Sequence, residues 1–150
     1  MSLKAKEVAE YFLALEEEDA GDTISNLKLQ KLCYFAQGFY LAINGEKLFN
    51  EEIEAWTHGP VIPDLYHEYK IYENQAIPKP KNLDFSIYKE DTIEFLNEIY
   101  SVFGQYSAWV LRNITHGGKP WKDVYKRGGG VISVDSMKKW FKKYLEDEEE

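Results

Sequence analysis

The segment SNLKLQKLCYFAQGFYLAING, residues 25–45, constrains the fold more than any other part of the chain. Its apolar residues recur at helical spacing but cover more than half of the helix circumference, whereas a surface helix buries a single stripe. Ser25 is suited to cap the first turn, and Gly45 can take the positive φ that ends many helices. Gly38 predicts a close crossing with another helix, because an internal glycine otherwise costs about 1 kcal/mol against alanine. We therefore expect a central helix packed on several sides through Leu29, Leu32, Cys33, Phe35, Ala36, Phe39, Tyr40 and Ile43.

Shorter helical segments are predicted on both sides of this helix. Residues 4–17 carry one apolar stripe, and the run from Asp19 to Asp22 is expected to break it. Asp91 followed by Glu94 resembles a capping box, and apolar residues then recur at helical spacing as far as Gly104. Proline suits a first helical turn and serine suits an N-cap, which predicts further helical starts at Pro63, Ser107, Pro120 and Ser133.

One short β element interrupts the helical pattern. Ile53, Ala55 and Thr57 alternate with polar or amphipathic residues, which indicates a strand, and Leu48–Phe49 is its expected partner. The strand runs into Thr57-His58-Gly59-Pro60, and a second Thr-His-Gly follows at residues 115–117. The first is interpreted as a stiff corner, because glycine permits unusual dihedrals and proline fixes the next φ. The alternative is an exposed recognition ridge formed by Trp56, His58 and Pro60.

These patterns predict a mainly α (α+β) fold with one small β-hairpin or short strand near residues 48–57. The length of 150 residues suits a single domain, which we expect over residues 1–145. Residues 146–150 form an acidic tail that is expected to fray, because like charges repel and chain ends lack packing. Residues 73–82, which include Pro78 and Pro80, are expected to form an extended connection, called here the 73–82 connection.

Charge and cysteine content restrict the class of partner and the compartment. A net charge of -8 and a pI near 5.0 argue against duplex DNA or an anionic membrane, which reward clustered lysine and arginine. A basic protein partner fits better. The single cysteine cannot form an internal disulfide, and neither a secretory leader nor an apolar run long enough for a membrane is recognisable. We therefore expect a cytoplasmic protein with no nucleic-acid or membrane partner.

No motif points to catalysis, to a metal or to a cofactor. His67-Glu68 lacks the second histidine of a zinc-protease motif, since residue 71 is Ile71. Cys33 lies on the densely apolar helix, where a thiol behaves as a small hydrophobe. The glycines at 128–130 lack the Lys-Ser or Lys-Thr of a phosphate loop and are interpreted as a flexible corner. We expect a protein that is not an enzyme, and the alternative is a small enzyme that uses Cys33 or the histidines in an unrecognised pocket.

Two stretches resemble a known family. LKLQKLCYFAQGFYLAINGEKLFNEEIEAWTHGPVIPDLYHEYK, residues 27–70, and YSAWVLRNITHGGKPW, residues 106–121, are similar to the SocA-like Panacea domain, once catalogued as phage-associated proteins. The resemblance covers about residues 5–145. Its signature residues are Leu29, Gln30, Lys31, Leu32, Tyr34, Gln37, Gly38, Trp56, His58, Gly59, Pro60, Tyr106, Ser107, Trp109, His116, Pro120 and Trp121.

The resemblance implies a bacterial antitoxin that binds and neutralises a cognate toxin, with no catalytic residue, metal ligand or cofactor. One branch of the family instead works as an adaptor that delivers its toxin to a ClpXP-type protease, so a protease unfoldase is the alternative partner. Different members serve unrelated toxins, and specificity needs residues that differ between pairs. We therefore expect the signature residues to hold the fold. Toxin choice is then expected on helix faces and on the 73–82 connection.

Overall fold

A central helix organises the molecule. The computed structural model describes residues 3–16 and 24–148, without the side chain of the last residue. Within them, α2 contacts α1, α3, α4, α5, α7 and strand β2, so the expected central helix is confirmed. Ile43 was wrongly expected among its packed residues, because it lies in the last turn of α2 and is 59% exposed. The α-helices are α1 (Ala5–Leu15), α2 (Asn26–Asn44), α3 (Pro63–Tyr69), α4 (Glu90–Phe103), α5 (Ala108–His116), α6 (Lys119–Lys126) and α7 (Val134–Glu148). Short 3-10 helices cover Lys70–Tyr72 and Phe85–Ile87.

The ends of the helices follow the local sequence closely. Ser25 accepts a hydrogen bond from the Lys28 amide at 3.3 Å, and Ser107 accepts one from the Val110 amide at 3.2 Å. Gly45 ends α2 in the left-handed region with a φ of 76°. Pro63 lies in the first turn of α3, where its missing N–H costs no helical hydrogen bond. The predicted break at 19–22 lies outside the described residues.

Gly38 marks a close crossing of α2 and α7 in the core. A Cβ atom placed there would lie 2.1 Å from Cε2 of Phe141, which is on α7. The Phe141 ring occupies this space and packs edge-on against Phe39 at 4.8 Å and Tyr34 at 5.5 Å. The prediction that glycine permits a close approach here is confirmed.

The β element consists of β1 (Glu54–Trp56), β2 (Gly59–Val61) and β3 (Gly130–Val131), in the order β2-β1-β3 with antiparallel pairing. The predicted pairing of Leu48–Phe49 with β1 is wrong. The side-chain oxygen of Gln37 instead accepts from the Leu48 amide at 2.7 Å, and its amide group donates to the Phe49 carbonyl at 2.6 Å. A parallel bridge joins Phe49 to Leu3.

Two further boundaries differ from expectation. The capping box at Asp91 is wrong, because α4 begins at Glu90 after Lys89 and Asp91 lies inside the first turn. The glycine corner at 128–130 has positive φ throughout, but it also leads into β3, which the sequence did not predict. Helix α7 continues to Glu148 and so includes part of the expected acidic tail.

Candidate functional site

The two Thr-His-Gly segments lie against each other, and this contact is called here the junction. The first forms the turn between β1 and β2, and the second ends α5. Gly59 has a φ of 110°, and a Cβ atom there would lie 2.9 Å from Oγ1 of Thr115 and 2.8 Å from Cε of Lys31. Only glycine fits this approach without displacing its neighbours. A repeated tripeptide 58 residues apart along the chain therefore builds one contact in space.

A stack of aromatic rings on α6 supports the junction. The His116 and Trp121 rings lie 4.0 Å apart and 5° from parallel, and the Trp121 and Tyr125 rings lie 4.7 Å apart. Nε1 of Trp121 donates to the Trp56 carbonyl at 2.8 Å. The Tyr125 hydroxyl donates to Oγ1 of Thr57 at 3.2 Å. The stack therefore holds the hairpin through its backbone as well as by packing.

A buried lysine lies beneath the hairpin. Lys31 on α2 is fully buried, and its Nζ donates to the Pro60 carbonyl at 3.0 Å. Burial, together with a smaller effect of the positive charge of Arg112, lowers the pKa of this amine to about 7. Among the residues that the structure describes, no carboxylate forms an ion pair with it. The amine is therefore held by a backbone carbonyl rather than by a counter-charge.

His116 lies close to the same positively charged groups. Burial lowers the pKa of its imidazole, and Arg112, Lys31 and His58 act in the same direction by charge, while a hydrogen bond with the backbone of Thr57 opposes them. Its Nε2 is buried and has no hydrogen-bond partner within the described part of the chain. The neutral imidazole is therefore favoured.

Polar side chains of α2 bind backbone groups of three other segments. Oε1 of Gln30 accepts from the Ile62 amide at 2.9 Å, and Gln37 holds residues 48–49 as described above. Asn26 donates to the Tyr66 carbonyl at 3.1 Å, and Nζ of Lys28 donates to the Gly104 carbonyl at 2.7 Å. Apart from the Tyr66 carbonyl, which lies in the last turn of α3, these backbone groups lie outside regular strands and helices, where an unpaired buried group would be costly.

The signature residues divide into buried and exposed sets. Trp56 and His116 are half-buried. The exposed ones are His58, Tyr106, Ser107 and Trp109, of which Ser107 caps α5. The buried ones are Leu29, Gln30, Lys31, Leu32, Tyr34, Gln37, Gly38, Gly59, Pro60, Pro120 and Trp121.

Arg112 and Trp109 form a surface feature that the sequence reasoning missed. Trp109 is 63% exposed, and the Arg112 guanidinium lies 4.7 Å from its ring centroid, a cation–π geometry. Nε of Arg112 is buried without a hydrogen-bond partner among the described residues. The sequence signal for this pair is the i, i+3 spacing of an aromatic and a cationic residue, which places both side chains on one face of a helix.

The arrangement does not favour catalysis at the residues considered from sequence. Cys33 is fully buried, and burial, with a smaller effect of Glu51, raises the pKa of its thiol, which disfavours the nucleophilic thiolate. His67 is exposed on α3, beside Trp56 at a ring separation of 6.5 Å. In the described ranges no three histidine, cysteine or carboxylate side chains are grouped as metal ligands. The Lys31 amine has the chemistry of a base but no exposure to a substrate.

Comparisons with known proteins cover the junction. Residues 29–122 match the family described as Antitoxin SocA-like, Panacea domain. The chain is 37% identical over 142 residues to Antitoxin SocA of Caulobacter vibrioides (strain NA1000 / CB15N), covering 87% of this chain and 74% of that relative. No solved structure matches it. Of the helices described, none combines the length and the hydropathy needed to cross a bilayer.

Proposed function

The chain belongs to the antitoxin SocA-like Panacea-domain family, and we propose that it neutralises a cognate protein toxin by direct, stoichiometric binding. The observation that carries this proposal is the similarity to Antitoxin SocA along 87% of the chain. The family match over residues 29–122 includes both Thr-His-Gly segments of the junction. We place the protein in the cytoplasm and assign it no catalytic step.

The charge of the protein supports a basic toxin. A net charge of -8 attracts a positively charged partner and disfavours acidic ones, which speeds encounter and penalises wrong pairs. Association of such a pair should slow steeply as salt screens the charges. An association rate that is independent of salt would argue against a basic partner.

We propose that the junction is scaffold. Its side chains are engaged with the protein's own backbone: Lys31 with Pro60, and Trp121 with Trp56. Groups that are used in this way are poor candidates for recognising toxins of different structure. The Trp56 ring packs edge-on against Tyr66 at 5.0 Å, so Trp56→Ala should lower the melting temperature. A variant with unchanged stability and lost toxin binding would contradict the scaffold role.

The 73–82 connection and the residues before it are the proposed toxin-contact surface. Ile71 is 79% exposed and Tyr72 is 38% exposed, although both are large apolar side chains that anchor interfaces well. The connection itself is exposed except at the half-buried Pro80 and the buried Ile77, whose amide donates to the Ile24 carbonyl at 2.9 Å. Because Ile77 anchors the connection to the core, the exposed side chains around it are held in place for contact with a partner.

The first experiment is a growth-rescue test. The gene adjacent to this one is induced in bacteria with and without this protein, and complex formation is assayed by co-purification. Rescue with a stable complex supports neutralisation by binding. Rescue with disappearance of the toxin supports delivery to a ClpXP-type protease, and toxicity without rescue contradicts both roles.

The second experiment locates the contact surface with matched variants. Ile71→Ala combined with Tyr72→Ala should weaken toxin binding at least tenfold, about 1.4 kcal/mol, without lowering the melting temperature. Ile43→Ala removes a comparably exposed isoleucine, 59% exposed, at the far end of α2 and should bind normally. Equal toxin affinities of the two variants would contradict the proposal that Ile71 and Tyr72 contact the toxin.

A further inference from the structure

An open groove lies between α6, β3 and α7, called here the α6–α7 groove. Its volume is about 740 Å³. Apolar side chains line it, including Val124, Trp140 and Tyr144, and the rings of the last two are stacked 5.6 Å apart. Its cationic lining residues are Lys119, Arg127, Lys139 and Lys143, and its anionic ones are Asp123 and Asp147.

The groove is positive although the protein is strongly negative. Four cations against two anions line it, whereas the whole chain carries -8. Within the described residues, Lys139 pairs with Asp135 at 3.2 Å, and both side chains are at least 75% exposed, so this pair is weak. Lys119, Arg127 and Lys143 form no ion pair there. The groove therefore favours an acidic occupant.

Helix α7 carries the complementary charge on its own C-terminal end. Lysines stand at positions 138, 139, 142 and 143, and the acidic run begins at Glu146. This order is the reverse of the one that stabilises an isolated helix, since the macrodipole favours acids at the N-terminus and bases at the C-terminus. Lysine placed four residues before an acid is also the weaker order for pairs within a helix. The acidic end therefore gains most from a cationic surface outside its own helix.

Other occupants fit less well. Nucleic acid requires a positive field over many phosphates, and four exposed cations on a protein of charge -8 do not supply one. A small anion needs convergent, buried polar groups, but Lys119, Arg127, Lys139 and Lys143 are all exposed. An acidic helix with an apolar face can use both the cations and the aromatic lining.

We infer that the occupant is the acidic C-terminal end of α7 from a second copy of this chain. Two α7 helices packed antiparallel place each acidic end in the groove of the other copy, with Trp140 and Tyr144 between them. The contact is reciprocal, as a two-fold symmetric dimer requires, and the antiparallel helix dipoles attract. This dimer goes beyond the proposed antitoxin function and does not depend on it.

The test is a charge-swap series in analytical ultracentrifugation of the full chain. It is run at about 0.15 M salt, because two copies of charge -8 repel each other when salt does not screen them. The wild-type protein should dimerise with rising concentration, with a Kd in the micromolar range for an interface of this modest size. A wild-type protein that stays monomeric up to about 1 mM would overturn the inference.

The variants identify the interface. Lys139→Glu/Lys143→Glu and Glu146→Lys/Asp147→Lys should each dimerise at least tenfold more weakly alone. An equimolar mixture of the two should restore dimers, because each groove then meets an end of opposite charge. Lys79→Glu/Lys81→Glu makes the same change of net charge as Lys139→Glu/Lys143→Glu, but at two exposed lysines of the 73–82 connection, and should dimerise like the wild type. Dimers that persist in the α7 variants, or a mixture without rescue, would overturn the inference.

Discussion

Burial of Lys31 makes the stability of the protein depend on pH in a predictable way. Its pKa is lowered to about 7 in the folded protein from an ordinary value of 10.5, which the unfolded chain regains. Between these two values the unfolded state binds a proton that the folded state does not. The free energy of unfolding therefore rises with pH across this window by about 1.4 kcal/mol per pH unit from this group. Below about pH 7 both states are protonated and the contribution is flat.

Lys31→Met removes this titration while keeping nearly the same volume. Between about pH 7 and about pH 9.5, the free energy of unfolding of the wild type should rise by about 3 kcal/mol relative to that of the variant. At about pH 7 the variant avoids burying a charge but leaves the Pro60 carbonyl without the 3.0 Å hydrogen bond, and these effects oppose each other. The two proteins should therefore be similar in stability near neutrality and diverge in alkaline solution.

The assay is urea unfolding of both proteins at several pH values, followed by circular dichroism. Burial raises the pKa of Cys33, Tyr34 and Tyr88, and these groups destabilise the fold at alkaline pH, but they are present in both proteins and cancel in the difference. Lys122→Met makes the same substitution at an exposed position of α6 and serves as the control. A difference between wild type and Lys31→Met that stays constant with pH would refute the burial argument.

Three further substitutions test the packing and the backbone contacts, each by the change in unfolding free energy. Gly38→Ala forces a Cβ atom to within 2.1 Å of a ring atom on α7 and should cost about 3 kcal/mol. Gly117→Ala is the control: its Cβ atom would have a nearest contact of 3.5 Å, so stability should change by less than about 0.5 kcal/mol. Gln37→Met leaves the amide of residue 48 and the carbonyl of residue 49 unpaired and should cost about 2–4 kcal/mol; a neutral effect would mean that water replaces both bonds. Trp121→Phe keeps a stacked ring but loses the 2.8 Å hydrogen bond to the hairpin and should cost about 1–2 kcal/mol, and equal stability would show that stacking alone holds the junction.

Local signals predicted the helices because helix ends are decided by neighbouring residues. Ser25, Gly45, Pro63 and Ser107 act at the positions expected of them, through hydrogen bonds or dihedrals that involve residues within four positions. Asp91 was misassigned because an acidic side chain is favourable both as a cap and inside the first turn. Sequence composition does not separate these two positions, and the observed N-cap, Lys89, lies two residues before the expected one.

The β element was only partly predictable because strand pairing depends on distant residues. Leu48–Phe49 is next to β1 in sequence, but its backbone groups are taken by Gln37, eleven and twelve residues earlier. The partner of β1 on that edge is β3, at Gly130–Val131, more than seventy residues away. Glycine-rich sequence carries no alternating pattern, so this pairing left no local trace.

By itself the sequence determined most of the helix ends, that one helix is packed on several sides, and to which family the chain belongs. These properties depend on capping, on periodicity and on the identity of residues along a short stretch. Only the tertiary structure decided that Lys31 lies in the core and that the two Thr-His-Gly segments form one contact. The reason is that the burial of a charged side chain depends on the neighbours that enclose it, and those come from α5 and the hairpin, far away along the chain.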